Sequence, residues 1–221
     1  MKHLSKSASY AKQRGIALFF ALIALLAISL AAVALIRSVD TSTLIAGNLA
    51  FKQSATTSGD AGVEAAMSWM STIETANAGL SVLTQIAHPF NNTGGIAGAL
   101  NPGYYSSLDA TLSLTDGTGI QWNANDSCGT GPNCADAVDP SGNTTRYIIQ
   151  RMCRNANQLV PAANCLFSGA ALDNGGHATP LPQNVCIGEG CPSSGQAPQN
   201  RITSRTTGPR NTVSYIQAFV Y

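Results

Sequence analysis

Six cysteines have the type and spacing most suited to chemistry in this sequence. An even number of cysteines in a loop-rich, exported segment is typical of disulfide formation in an oxidising compartment. Six cysteines allow fifteen pairings, and the short separations within three successive pairs favour local disulfide loops. A zinc site is the alternative, but the spacings lack a C-x2-C knuckle and no histidine lies close. All six lie beyond the apolar N-terminal part: Cys128, Cys134, Cys153, Cys165, Cys186 and Cys191.

The rest of the sequence holds no pattern that is typical of catalysis. His3, His88 and His177 stand apart, and the motifs of hydrolases, zinc proteases and nucleotide-binding loops are missing from the sequence. We therefore expect no enzymatic activity, no cofactor and no metal. A calcium site near the first two cysteines is an alternative, although Asx-rich turns have the same composition. Its oxygen ligands would come from Asn123, Asn125, Asp126, Asp136 and Asp139.

An apolar stretch from Ile16 to Ile36 must position everything that follows it. It has no charge, and as a helix it would be roughly 30 Å long, which is the hydrocarbon thickness of a bilayer. Four basic residues and no acidic residue precede it, so we expect a cytoplasmic N-terminus and an exported remainder. A removed secretory signal is the alternative, but its apolar region is usually only ~7 to 15 residues long.

The residues around this stretch resemble type IV prepilins. Lys12-Gln13-Arg14-Gly15 followed by Ile16 is similar to the leader junction at which prepilin peptidase cuts after the glycine and methylates the new amino terminus. Further on, Ala46-Gly47-Asn48-Leu49 and Gly62-Val63-Glu64-Ala65-Ala66 resemble the AGN and AAE.AL positions that follow the membrane helix in PilX-type minor pilins. The resemblance covers residues 12 to about 70. The second motif is imperfect, because Gly59 and Gly62 stand where helix formers are expected.

The resemblance implies an α+β, pilin-like fold in which a long N-terminal helix packs on a C-terminal antiparallel sheet with disulfide-tied loops. It divides the chain into a leader, a transmembrane or filament-core helix, an amphipathic continuation of that helix, and a periplasmic β-rich domain: 1–15, 16–36, 37–76 and 77–221. Cleavage would separate Gly15 from Ile16, and Ile16 would be N-methylated. The filament-core helix would include Ile16, Ala17, Leu18, Phe19, Phe20, Leu22, Leu25 and Leu26.

A minor pilin would be held in the inner membrane by one span and then inserted into the pilus at the cell surface. Its implied partners are other minor pilins, the major pilin, prepilin peptidase, the inner-membrane assembly platform and a large tip adhesin. Nucleic acid is not expected as a partner. Four of the 12 basic residues lie in the leader, which leaves eight against 11 acidic residues, a net charge of −3 without a basic stripe.

Phe20 marks a departure from most pilins, which have glutamate as the fifth mature residue to pair with a neighbour's terminal ammonium. A carboxylate in the bilayer core costs about 2.5 to 3.5 kcal/mol, so it is retained where a partner compensates. Its absence favours a subunit at or near the filament tip, unless Phe20 is simply lipid-facing.

The tip pseudopilin of a type II secretion system also lacks this glutamate and is an alternative to a minor pilin. A membrane-anchored exported binding protein or enzyme is the alternative of another class.

Beyond residue 36 the pattern predicts an amphipathic helix with one buried face. A hinge at Gly47-Asn48 between a membrane helix and a separate soluble helix is the alternative. Apolar residues recur three and four positions apart as far as about residue 74. They are Leu44, Ile45, Leu49, Ala55, Val63, Ala66, Met67, Met70 and Ile73.

Alternating patterns predict the strands of the C-terminal domain. Residues 110–115 and 120–122 are predicted to form one hairpin, and residues 146–153 a single strand. A terminal hairpin is predicted from 202–206 and 213–221. The last strand is apolar on both faces, so we expect it inside the sheet. An interface patch formed by Tyr215, Phe219 and Tyr221 is the alternative.

Overall fold

The computed structural model describes residues 14–91, 103–108, 114, 119–120, 122, 126–169, 175–177 and 186–221. These residues form an α+β fold, with helix α1 at Arg14–Ala76 and a short helix α2 at Val160–Ala163. The strands are β1 (Tyr104–Tyr105), β2 (Cys128–Gly129), β3 (Thr144–Arg151), β4 (Asn200–Gly208) and β5 (Thr212–Val220). The chain divides into two compact units, Met1–Leu49 and Ala50–Tyr221.

Helix α1 is continuous through Gly47 and Asn48, where a hinge was the alternative prediction. In the first unit its side chains are mostly exposed, including Leu44, Ile45 and Leu49, which the periodicity had placed on a buried face. Those three residues lie before the boundary between the two units. Nothing in the first unit covers this part of the predicted face, so its burial stays a prediction.

In the second unit α1 packs on the sheet through a row of small residues. Ala55, Gly59, Gly62 and Ala66 follow one another at spacings of three and four, and all four are buried. Because side chains three and four apart share a helix face, this row forms one continuous strip against the sheet. Met67, which the sequence assigned to the same face, is exposed.

The sheet has the order β1-β3-β4-β5, and β2 pairs with one end of β3. The β3–β4 and β4–β5 pairs are antiparallel as expected, with Tyr147 opposite Ser204 and Ser204 opposite Ile216. The β1–β3 pair is parallel, which makes the sheet mixed. A parallel pair requires a long connection between its strands, and here residues 106–143 provide it.

Apolar residues cover both faces of the sheet. On the side of α1, the core contains Ala66, Phe90, Tyr104, Cys128, Tyr147, Ile149 and Ile202. On the opposite side, Leu114 and Trp122 pack on Tyr105, Ile120 and Ile148. The remaining residues of the predicted 110–122 hairpin lie outside the described residues.

Strand β5 is the point where the predicted sheet position is wrong. Among the described strands it pairs with β4 alone, so it forms an edge and not an interior strand. Its side chains alternate: Ile216, Ala218 and Val220 are half-buried, whereas Phe219 is 58% and Tyr221 is 82% exposed. The pattern predicted the two apolar faces correctly, but alternation along one strand carries no information about what covers each face.

Candidate functional site

The apolar segment from Ile16 to Ile36 lies within α1 and is exposed along its whole length. Its most apolar window has a mean hydropathy of 2.9 with none of it buried, so this helix is long and apolar enough to cross a membrane. Ser29 has the polar side chain of this segment, and its hydroxyl donates a hydrogen bond to the main-chain oxygen of Leu26 at 2.8 Å. This polar group is thus satisfied within the helix, as an apolar surrounding requires.

The residues assigned to cleavage and to the filament core fall at the start of this segment. Gly15 and Ile16 lie in the first turn of α1, while Lys12 and Gln13 lie outside the described residues. All eight proposed filament-core side chains are exposed, from Ile16 (58%) through Phe20 (65%) to Leu26 (57%). The segment therefore presents a continuous apolar surface that nothing in its own unit covers.

The cysteines form three disulfides, Cys128–Cys134, Cys153–Cys165 and Cys186–Cys191. These are the three short-range pairs that the sequence spacing favoured. Each closes a loop and leaves no free thiol among the cysteines. They tie the loops around the sheet, where regular secondary structure is sparse.

The carboxylates considered for calcium do not converge in the described part of the chain. Asp136 forms an ion pair with Arg146, and Asp139 accepts hydrogen bonds from Ser58 and Asn143. Asn123 and Asn125 lie outside the described residues. No group of three or more potential metal ligands among His, Cys, Asp and Glu occurs in the residues that the structure describes.

Of the three histidines, the structure describes two. His88 is buried beside the Phe90 ring, and its Nδ1 accepts a hydrogen bond from the Phe90 N–H at 3.2 Å. Its Nε2 lies 3.7 Å from an oxygen of Glu74. His177 is exposed, and His3 falls outside the described residues. His88 thus has a packing role next to the end of α1.

Arg151 joins three loops at the end of β3. Its guanidinium is buried and donates hydrogen bonds to Asn91 Oδ1 (2.7 Å), to the Ser106 carbonyl (3.0 Å) and to the Gln158 carbonyl (2.9 Å). Burial lowers the pKa of Arg151, while interaction with Tyr104 opposes that shift. A planar guanidinium suits this site because it reaches three acceptors in fixed directions.

We expect Arg151→Met to destabilise the globular unit by about 3 kcal/mol, since three acceptors would lose a donor in a buried site. Urea unfolding of the full chain in detergent micelles, followed by tryptophan fluorescence, measures the effect. The matched control is Arg154→Met, because Arg154 is exposed three residues further on and should change stability by less than about 0.5 kcal/mol. Equal unfolding midpoints for the two variants would contradict the assigned role.

A second polar cluster connects α1 to the start of β3. Asp139 Oδ1 accepts hydrogen bonds from the N–H groups of Ser141 (2.7 Å) and Asn143 (2.9 Å). The Asn143 amide then donates to Ser54 Oγ and Ser58 Oγ, both at 2.9 Å. Burial alone would raise the pKa of Asp139, but the hydrogen bonds from Ser58, Asn143 and Ser141 lower it below its usual range. The ionised carboxylate therefore orders the turn that docks on the helix.

This lowered pKa predicts a pH-dependent contribution to stability. A carboxyl whose pKa is lower in the folded state stabilises the fold above its ordinary pKa of about 3.9 and loses that contribution as pH falls through the folded value. Wild type should thus melt at a higher temperature than Asp139→Asn at pH 6, and the gap should narrow progressively as pH falls below about 3.9. Asp60→Asn, at an exposed position on α1, is the control and should show no such gap. A gap that persists unchanged at low pH would exclude this role.

Comparisons with protein-family models, with curated proteins and with solved structures gave no match for this chain.

Sequence reasoning located the apolar segment and the cysteines but missed the groups that hold the globular unit together. Arg146 and Arg151 were not singled out, because their acceptors include the main-chain oxygens of Ser127 and Ser106, which are 19 and 45 residues away in sequence. Two arginines within one predicted strand were the available signal, since a buried arginine requires several acceptors.

Proposed function

We propose that this chain is a minor pilin of the PilX type. In this proposal the peptide bond between Gly15 and Ile16 is cut, Ile16 is methylated, and the exposed apolar segment is inserted into a type IV pilus. The subunit helps to start assembly and lies at or near the tip. It acts by packing and carries out no catalysis.

The observation that carries the proposal is the continuous apolar surface of residues 16–36 within α1. A secreted globular protein has no use for an exposed apolar helix of this length, whereas a membrane or a bundle of similar helices covers it. The same helix continues into the second unit, where its small residues pack on the sheet. One helix thereby provides both the inserted segment and the support of the globular unit.

The transfer from membrane to filament would cost little free energy. Lipid chains and neighbouring helices are both apolar, so the hydrophobic effect scarcely distinguishes them, and close van der Waals packing drives the association. Small side chains in the segment permit such close packing. They are Ala27, Ser29, Ala31, Ala32 and Ala34.

The proposed partners follow from this route. Prepilin peptidase would act on the leader, and an inner-membrane assembly platform would transfer the mature chain to the filament. Other minor pilins and the major pilin would surround the apolar segment, and a large tip adhesin would contact the globular unit. Before assembly that unit would lie in the periplasm, where its three disulfides can form.

Intact-mass analysis of the chain purified from membranes tests the proposal. We expect a mature chain that begins at methylated Ile16, and its presence in sheared pilus fractions. An uncut chain that begins at Met1 and is missing from those fractions would instead identify an ordinary membrane-anchored protein.

A further inference from the structure

A cleft of about 650 Å³ opens between α1 and the loop closed by the first disulfide. Ala65, Trp69 and Thr72 of α1 form one wall, and residues 128–134 form the other. Tyr147 of β3 contributes its side chain between them. This helix–disulfide cleft lies wholly within the second unit, and its volume falls in the range of about 300 to 1,000 Å³ that is typical of small-ligand sites.

The lining of the cleft is uncharged among the residues that the structure describes. An ionic ligand would lose its hydration there without gaining a charged partner, so a neutral ligand is favoured. The lining is polar nevertheless, because Ser68, Thr130 and Asn133 place two hydroxyls and an amide along it. It also contains the two aromatic side chains Trp69 and Tyr147.

Ser68 and Asn133 are exposed and Thr130 is half-buried, so a ligand in the cleft can reach their side chains in place of water. Within the described ranges, no hydrogen bond engages the side chains of Ser68, Thr130 or Asn133, or the indole N–H of Trp69. The Tyr147 hydroxyl is protonated at neutral pH and can donate, and burial raises its pKa further, to about 12.

The disulfide wall of the cleft is held in place before any ligand arrives. Besides the Cys128–Cys134 bond, the N–H of Gly131 donates to the Ala135 carbonyl at 2.9 Å. The buried Arg146 guanidinium pairs with Asp136 on one side of the loop and donates to Ser127 Oγ at 2.7 Å on the other. A preformed wall reduces the entropy lost on binding, so weak individual contacts can add up to measurable affinity.

We propose that the helix–disulfide cleft binds an uncharged carbohydrate. A neutral sugar presents hydroxyl groups around its ring and apolar C–H faces, which match the hydroxyls, the Asn133 amide and the partly exposed Trp69 indole of this lining. The proposal depends on the globular unit alone and goes beyond insertion into a filament.

A glycan microarray that carries neutral, sialylated and sulfated oligosaccharides tests the proposal. The full chain is applied in a polyoxyethylene detergent, since alkyl-glycoside detergents would themselves offer a sugar to the cleft. We expect retention on neutral glycans, and titration calorimetry with the best of them then gives Kd. The proposal is overturned if no neutral glycan is retained, or if retention requires an acidic one.

Substitutions then locate the site. Asn133→Gly should raise Kd at least tenfold, because it removes the amide while glycine tolerates the local φ of 53°. Asn211→Gly is a matched control, since Asn211 has a φ of 59° outside the cleft, and its Kd should equal that of wild type. Tyr147→Phe keeps the ring in the core and should also raise Kd, with melting temperatures confirming that each variant is folded. Equal Kd values for Asn133→Gly and Asn211→Gly would place any bound glycan elsewhere and refute the assignment.

Discussion

Gly62→Ala should destabilise the globular unit by about 2 kcal/mol, although alanine is the better helix former. Gly62 lies in α1 where the helix crosses β3 and β4, and a Cβ built there would lie 2.6 Å from Thr145 Cγ2 and would also collide with the Ser204 side chain. Carbon atoms normally approach to about 3.5 Å, so either the helix or the strands must move apart. Such overpacking of a close interface costs typically 1 to 3 kcal/mol, which exceeds the gain of about 1 kcal/mol in helix propensity.

Gly47→Ala is the matched control for this prediction. It makes the same substitution in the same helix, but a Cβ at Gly47 has nothing within 4 Å. Its unfolding midpoint should therefore equal or slightly exceed that of wild type. Urea unfolding of both variants in detergent micelles gives the comparison. If Gly62→Ala matched Gly47→Ala, the close approach of α1 to the sheet would be wrong.

The glycines show why sequence reasoning misjudged this helix. Gly59 and Gly62 were read as weak points where helix formers belonged, because helix propensity is a local property. The structure gives them a role that depends on the sheet: a Cβ at Gly59 would lie 2.7 Å from Ile216 Cδ1. The contact joins residues far apart in sequence, so no local pattern contains it.

Elements that depend on residues close together in sequence were predictable. The extent of α1, the strands near 146–153, 202–206 and 213–221, and the short-range cysteine pairs all depend on neighbours along the chain. The edge position of β5 and the parallel β1–β3 pair depend on how strands are ordered in space. Hydrophobic alternation predicts which faces are apolar but leaves that order open.

The apolar segment and the helix–disulfide cleft also differ in how far the sequence predicts them. The apolar segment was predictable because its composition alone distinguishes it, over more than five turns of helix. The helix–disulfide cleft combines Ser68 and Trp69 of α1 with a loop some sixty residues away. Each of its residues is ordinary by itself, so only the packing of α1 against the sheet reveals the cleft.

Gly15→Val should block leader removal and abolish incorporation into pili. In the prepilin resemblance the peptidase cuts the bond between Gly15 and Ile16, and glycine at that position lets the enzyme approach the backbone closely because it lacks a Cβ. A branched side chain would displace the scissile bond, and a displacement of about 1 Å can slow catalysis about 100-fold. The uncut chain would retain its basic leader, which cannot enter an apolar filament core without a large desolvation cost.

The same mass analysis that tests the wild-type chain measures this effect. Membranes from cells that express Gly15→Val should contain the chain from Met1, and sheared pilus fractions should lack it. Gly79→Val is the control, because a Cβ at Gly79 meets nothing within 4 Å and the residue lies outside α1. That variant should be cut and incorporated like wild type. A chain beginning at Ile16 in the Gly15→Val cells, together with normal pili, would show that this glycine does not direct processing.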